Sequence, residues 1–146
     1  MTTRIFHFSG KVVRGQGRGR DLGFPTANIS VSHDMVEKLP QGVFAVWVED
    51  ISNRPIRGLA NIGIKPTFGG EPLTVELHLL DFEGDLYGRN LNIVLLDKLR
   101  EERAFSDPVD LVAQIRKDIH QARFLFENKG RNAQQLTTEV EGVDND

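Results

Sequence analysis

Over the first two thirds of the chain, apolar residues arrive in short runs of Val, Ile, Leu and Phe broken by Gly, Pro, Asn and Asp. That spacing confines the fold to antiparallel β structure, a sandwich or a barrel. Strands are expected near Phe6–Val13, Gly42–Glu49, Arg57–Ile62, Leu73–Leu80 and Leu91–Lys98, with "SNRP" as the turn between the second and third. The gaps are too short for the crossover helices that parallel βαβ units need. A short helical turn fits "SHDMVEKL", stopped by Pro40. The period then changes: in "SDPVDLVAQIRKDIHQARFLFEN", Val112, Ile115, Ile119, Ala122 and Phe126 recur at helical spacing. Asp107 is placed as N-cap, Pro108 at the first helical position and Gly130 just past the end. This is one amphipathic helix whose apolar stripe packs on the sheet. Residues 131–146 lack apolar periodicity and read as a flexible acidic tail behind a domain of residues 1–130.

Composition narrows the function. At 146 residues, with 39% hydrophobic and 27% charged residues, the chain fits one domain and one core. It contains no cysteine, which excludes disulfides, zinc–thiolate sites and thiol nucleophiles. The start, "MTTRIFHFSGKVV", is too interrupted for a signal peptide, and no stretch reaches the ~20 apolar residues of a membrane span, so no membrane association and a cytoplasmic location are expected. The glycosylation pattern at Asn28–Ser30 is set aside on the same ground. A net charge of -3 argues against nucleic acid as a partner. Its distribution is uneven, however: "KVVRGQGRGR" carries Lys11, Arg14, Arg18 and Arg20 without an acid, whereas "LTTEVEGVDND" closes the chain with acids. A local cationic loop in an acidic protein suits a small polyanion.

Three features bear on chemistry. In "RGQGRGR", Gly15, Gly17 and Gly19 alternate with Gln16 and Arg18, so backbone amides can approach an anion while Arg18 and Arg20 neutralise it; taken alone, the pattern favours a hairpin turn with solvated charges. No G-x-x-x-x-G-K-[ST] loop and no Rossmann context accompany it. In "GFPTAN", Pro25 biases Phe24 toward extended backbone, and an extended continuation points Thr26 and Asn28 to one side with Ala27 opposite. Two neutral hard oxygens suit Mg²⁺ that takes its other contacts from substrate phosphates; the alternative is a local Asx- or ST-turn. In "LTVELHLLD", Leu73, Val75, Leu77 and Leu79 share one face, leaving Thr74, Glu76, His78 and Leu80 on the other. Glu76 therefore projects into water or into a site, and pattern alone favours water. The histidines at 7, 33, 78 and 120 have no metal-ligand spacing.

From about Gly10 to Phe126, the blocks "GKVVRGQGRGRDLGFPTANI", "LPQGVFAVWV", "GLANIGIKPTF", "VELHLLDFEGDLYGR" and "LREERAFSDPVDLVAQIRKD" in this order resemble the riboflavin kinase family. The resemblance implies a mainly-β fold, a six-stranded antiparallel Greek-key barrel with one C-terminal helix. It implies transfer of the γ-phosphoryl group of ATP to the 5'-hydroxyl of riboflavin, giving FMN and ADP. It further implies Thr26 and Asn28 as Mg²⁺ ligands and Glu76 as catalytic base. Gly15, Gly17, Arg18, Gly19 and Arg20, with Thr26, Asn28 and Tyr87, would meet the nucleotide, and Arg100, Phe105 and Ser106 the flavin. Arg20 and Asp21 fill an interval where relatives often carry a lysine or an insertion, which leaves open whether Arg18 or Arg20 contacts phosphate. Two alternatives stand beside a lone kinase. One is the kinase module of a bifunctional FAD synthetase, with a nucleotidyltransferase domain or enzyme as partner. The other is a non-catalytic flavin-sensing module. No H-x-G-H signature is present, so synthesis of FAD by this chain itself is not expected.

Overall fold

The structure, a computed structural model, describes residues 6–14, 24–64 and 73–144, with side chains to residue 128. Alternation of apolar and polar residues along each strand closes the chain on itself as a barrel. Six strands, β1 (Phe6–Val13), β2 (Ala27–Ser30), β3 (Gly42–Glu49), β4 (Ile56–Ile64), β5 (Leu73–Leu79) and β6 (Asn90–Arg100), pair in the order β1-β2-β5-β4-β3-β6. All pairs are antiparallel, and β1 closes the circle against β6 from Phe6↔Leu95 to Lys11↔Asn90. The five runs anticipated from sequence are strands, two with the expected ends and three with ends that differ by one or two residues. The sixth, β2, is only four residues long and buries only Ile29, so its alternation is too brief to stand out.

The barrel interior is packed solid. Phe8, Val12, Ile29, Phe44, Val46, Val48, Ala60, Ile62, Val75, Leu77, Leu91 and Ile93 fill it. A second cluster lies outside the wall, where Ala45, Leu59 and Leu80 meet Ala122 and Phe126 of α2 (Pro108–Asp144), flanked by Trp47, Leu96, Leu99 and Ile119. Strands β3 and β4 are thus apolar on both faces where the helix covers them, which explains the unbroken run of buried residues from Gly42 to Val46.

Local chemistry sets the helix ends. Ser32 caps α1 (His33–Lys38) by accepting from the Met35 amide at 3.2 Å, and Leu39, ahead of Pro40, turns extended. Asp107 caps α2 by accepting from the Val109 amide at 2.8 Å, with Pro108 as the first helical residue. At its far end α2 departs from the sequence expectation, running through Gly130 to Asp144. A helical glycine costs about 1 kcal/mol relative to alanine, and Ala133, Gln134, Gln135 and Leu136 just beyond it are good helix formers.

One buried ion pair fixes α2 to the wall. Arg100, at the end of β6, donates from Nε and Nη2 to the two carboxylate oxygens of Asp118, both at 2.8 Å, and Gln114 donates to the same carboxylate at 2.9 Å. Asp118 is 3% exposed. Removing one partner of such a pair strands the other, so Asp118→Ala is expected to lower the unfolding free energy by about 3 kcal/mol, measured by urea titration.

Candidate active site

Antiparallel partners share a face, so the registers trace a row around the outside of the barrel. It runs Val13↔Asn28, Asn28↔Glu76, Asn61↔Glu76, Val43↔Asn61 and Val43↔Arg100, crossing all six strands. Three residues singled out from sequence, Asn28, Glu76 and Arg100, lie on this one row. Asn28 and Glu76 are adjacent, and Arg100 lies three strands beyond Glu76, roughly 14 Å around the wall at strand spacing. Arg100 reaches the row because β6 carries register shifts between Val43 and Val46 of its partner strand.

Thr26 joins the row at its Asn28 end through the segment before β2. His78 Nδ1 donates to the Pro25 carbonyl at 2.8 Å, and Phe24 meets the His78 ring edge-on at 6.1 Å. These contacts hold the chain extended along β5 ahead of Ala27. Ala27 packs toward the barrel core, so Thr26 and Asn28 face outward, both half-buried. The side-chain oxygens that this face brings near one another are the Thr26 hydroxyl, the Asn28 amide carbonyl and the Glu76 carboxylate. Neutral ligands beside a single carboxylate fit an ion whose charge is met by phosphate. Among the described residues, no group of three or more His, Cys, Asp or Glu forms a metal site of its own.

Tyr87 lies in the β5–β6 connection, more than half exposed, with the Arg14 guanidinium stacked 4.6 Å from its ring centre. The Gly88 amide donates to Val12 O and the Val12 amide to Arg89 O, both at 2.9 Å, so this turn is joined to the end of β1 that leads into the glycine segment. Gly15, Gly17, Arg18, Gly19 and Arg20 themselves lie outside the described residues. At the opposite side, Phe105 sits 5.8 Å from Arg100 and 4.7 Å from Arg103, and Ser106 is exposed ahead of α2. The Arg100 guanidinium is thus engaged with Asp118 and with the Glu101 carbonyl, and one of its faces lies toward the Phe105 ring. Sequence reasoning missed Asp118. The signal was an acid three residues after Ile115 and four before Ala122, inside the apolar stripe.

A cleft of 610 Å³ opens beside the row, lined by Pro25, His78, Leu80, Asp81, Ile119 and Arg123 among others. Asp81 has a left-handed backbone (φ 57°), and its carboxylate accepts from both terminal nitrogens of Arg123 at 2.9 Å. Hydrogen bonds from Arg123, reinforced by its charge, hold the Asp81 carboxyl below the usual carboxylate range. A depressed carboxyl contributes stability above its unfolded pKa, near 3.9, and loses it as pH falls through the folded value. The melting-temperature deficit of Arg123→Ala is therefore expected at pH 7 and should shrink as pH drops below about 4, followed by circular dichroism.

A closed antiparallel barrel with polar residues on its outer wall and one helix packed against that wall defines a class of small β-barrel domain. Residues 2–126 match the family model described as "Flavokinase: Riboflavin kinase". The chain belongs to the riboflavin kinase family. It is 43% identical over 121 residues to the bifunctional riboflavin kinase/FMN adenylyltransferase of Escherichia coli (strain K12), covering 83% of this chain and 38% of that protein. It is 41% identical over 112 residues to the RNA-binding riboflavin kinase RibR of Bacillus subtilis (strain 168), covering 76% of this chain and 47% of that one. A crystal structure of riboflavin kinase from Trypanosoma brucei superposes with a TM-score of 0.64 at 30% identity, covering 87% of this chain and 82% of that one. The chain thus spans well under half the length of the bifunctional proteins it resembles. Because one relative is named as RNA-binding, membership of this family lends no support to the exclusion of nucleic acid drawn from net charge.

Proposed function

We propose that the chain phosphorylates riboflavin, moving the γ-phosphoryl group of ATP to the 5'-hydroxyl to give FMN and ADP, in the cytoplasm. The observation that carries this reading is the register that sets Asn28 directly beside Glu76, with Thr26 on the same face. Thr26 and Asn28 would hold Mg²⁺ through neutral oxygens. When bound, that ion neutralises the charge on the phosphates. Glu76 accepts the proton of the 5'-hydroxyl as its oxygen bonds to the γ-phosphorus and the bond from that phosphorus to the β–γ bridging oxygen breaks. The proton ends on the carboxylate and the electron pair on ADP. A positioned base of this kind contributes roughly 10²- to 10⁴-fold. Tyr87, with the glycine segment of Gly15, Gly17, Arg18, Gly19 and Arg20, flanks the nucleotide, and Arg100, Phe105 and Ser106 flank the flavin.

A second reading, favoured by the bifunctional relatives, makes this the kinase module paired with a nucleotidyltransferase domain or enzyme that consumes FMN. In either reading the chain with riboflavin, ATP and MgCl₂ yields FMN and no FAD by HPLC. Glu76→Gln is expected to retain flavin and nucleotide binding by calorimetry while losing turnover by about 10²-fold or more. Unchanged turnover removes Glu76 from the role of base. Thr26→Ala and Asn28→Ala should each shift the magnesium activation curve to higher concentration. Curves that overlay the parent overturn the metal assignment.

A further inference from the structure

We propose that Glu102 is a specificity-determining residue that accepts hydrogen bonds from the ribityl hydroxyls of riboflavin. The inference rests on the proposed function, with the 5'-hydroxyl at Glu76 and the flavin ring beside Arg100 and Phe105. A glycine carries it. Gly63 pairs with Thr74 of β5 and lies on the outward face of β4, two residues along from Asn61, the register partner of Glu76. Its φ is not positive, so backbone conformation does not call for glycine there. Space does: the Glu102 carboxylate occupies the position that a Cβ at residue 63 would take. Gly63 is therefore buried although it faces away from the barrel core, and Glu102 is half-buried above it.

The segment that leaves β6 thus folds back across β3 and lays one carboxylate on β4. Its other charged side chains are engaged. Lys98 and Glu101 pair at 2.6 Å, Arg100 is held by Asp118, and Arg103 lies over the Phe105 ring. Among the described residues, none gives Glu102 a hydrogen bond or a counter-ion. A carboxylate only accepts, and holding one half out of water without donors is unfavourable, so the position calls for donors from a ligand. Glu76 lies one strand across and two residues along from Gly63, about 8 Å away on the wall. A ligand that reaches from Arg100 and Phe105 on the β6 side to Glu76 on β5 crosses β3 and β4, where Glu102 sits. In riboflavin, the part between ring and terminal hydroxyl is the ribityl chain. Its adjacent hydroxyls offer parallel O–H donors to the two oxygens of one carboxylate.

The test compares riboflavin with a flavin whose ribityl chain is replaced by an unbranched hydroxypentyl chain, which keeps the ring and the terminal hydroxyl and lacks the hydroxyls between. Steady-state kinetics with MgATP, flavin-fluorescence titration of binding and melting temperatures are measured on the purified chain. Glu102→Ala is expected to lower kcat/KM for riboflavin roughly 10- to 100-fold and to change it less than about threefold for the hydroxypentyl flavin, as loss of a charge-assisted hydrogen bond requires. Dissociation constants should show the same selectivity. Gly63→Ala, which displaces the carboxylate without removing it, should reproduce that loss of discrimination, and adding it to Glu102→Ala should cost less than about threefold more. Glu102→Gln, an acceptor of the same shape without the charge, should keep part of the discrimination. If Gly63→Ala does not fold, the two Glu102 variants carry the test. The inference is overturned by an unchanged kcat/KM for riboflavin in Glu102→Ala, or by equal losses for the two flavins, which mark a purely structural role. Absence of FMN from the parent chain sinks the proposed function itself. FMN from the parent with a parent-like Glu102→Ala sinks only the role of Glu102.

Discussion

Everything at the site depends on a short strand wedged between two longer ones. Strand β2 has four residues, yet it supplies the connection between β1 and β5 on which closure relies. It pairs with β1 through Lys11↔Ser30 to Val13↔Asn28 and with β5 through Ala27↔Leu77 to Ile29↔Val75. Backbone hydrogen bonds on both edges fix its register, and because side chains alternate with period 2, a slip by one residue would turn Asn28 inward and Ile29 out. The burial of Ile29 in the barrel core opposes that slip. Its clasp to the core is what keeps Asn28 beside Glu76.

The second constraint is the division of the molecule into two apolar clusters. The inner one is complete without α2, and the outer one exists only because α2 lies across β3, β4 and the turn after β5. Arg100 and Asp118 sit at the border of the outer cluster, where the segment carrying Phe105 leaves the barrel and the helix begins. A buried ion pair adds little net stability against a well-packed apolar substitute, but it is directional. Two parallel hydrogen bonds at 2.8 Å set the rotation of α2 about its axis, and with it the faces that Ala122 and Phe126 present to the wall.

Much of this was legible in the sequence, for reasons that differ by element. Strand β5 announced itself because Val75 and Leu77 alternate with Glu76 and His78 over an uninterrupted span, and the helix because Ile119, Ala122 and Phe126 keep a 3.6-residue period behind an Asp-Pro start. Strand β2 did not, since a stretch with one buried aliphatic residue carries no measurable period. The end of α2 was misjudged because a glycine was weighted as a stop where following residues sustain the helix. At the site, residue types were readable but adjacency was not. Thr26 and Asn28 are two apart and Glu76 is 48 positions past Asn28, and only the pairing of β2 with β5 unites them. The Asp118 partnership and the cover that Glu102 gives Gly63 are also facts of register and packing, invisible to local pattern.

The packed interior also limits where the proposed chemistry could sit. Val46, Ala60, Ile62, Leu91 and Ile93 are fully buried inside the barrel, which leaves that space to side chains rather than to a ligand. The proposed substrates would bind outside, on a wall that water can reach. Phosphoryl transfer tolerates this because it asks for alignment and charge neutralisation more than for a deep apolar cavity. A row of residues on consecutive strands provides alignment cheaply: each strand advances the row by about 4.8 Å, and the hydrogen-bonded ladder holds that spacing to a fraction of an ångström. Rigid strands can therefore hold Asn28 and Glu76 side by side, while the glycines of "RGQGRGR" fall in the connection between β1 and β2.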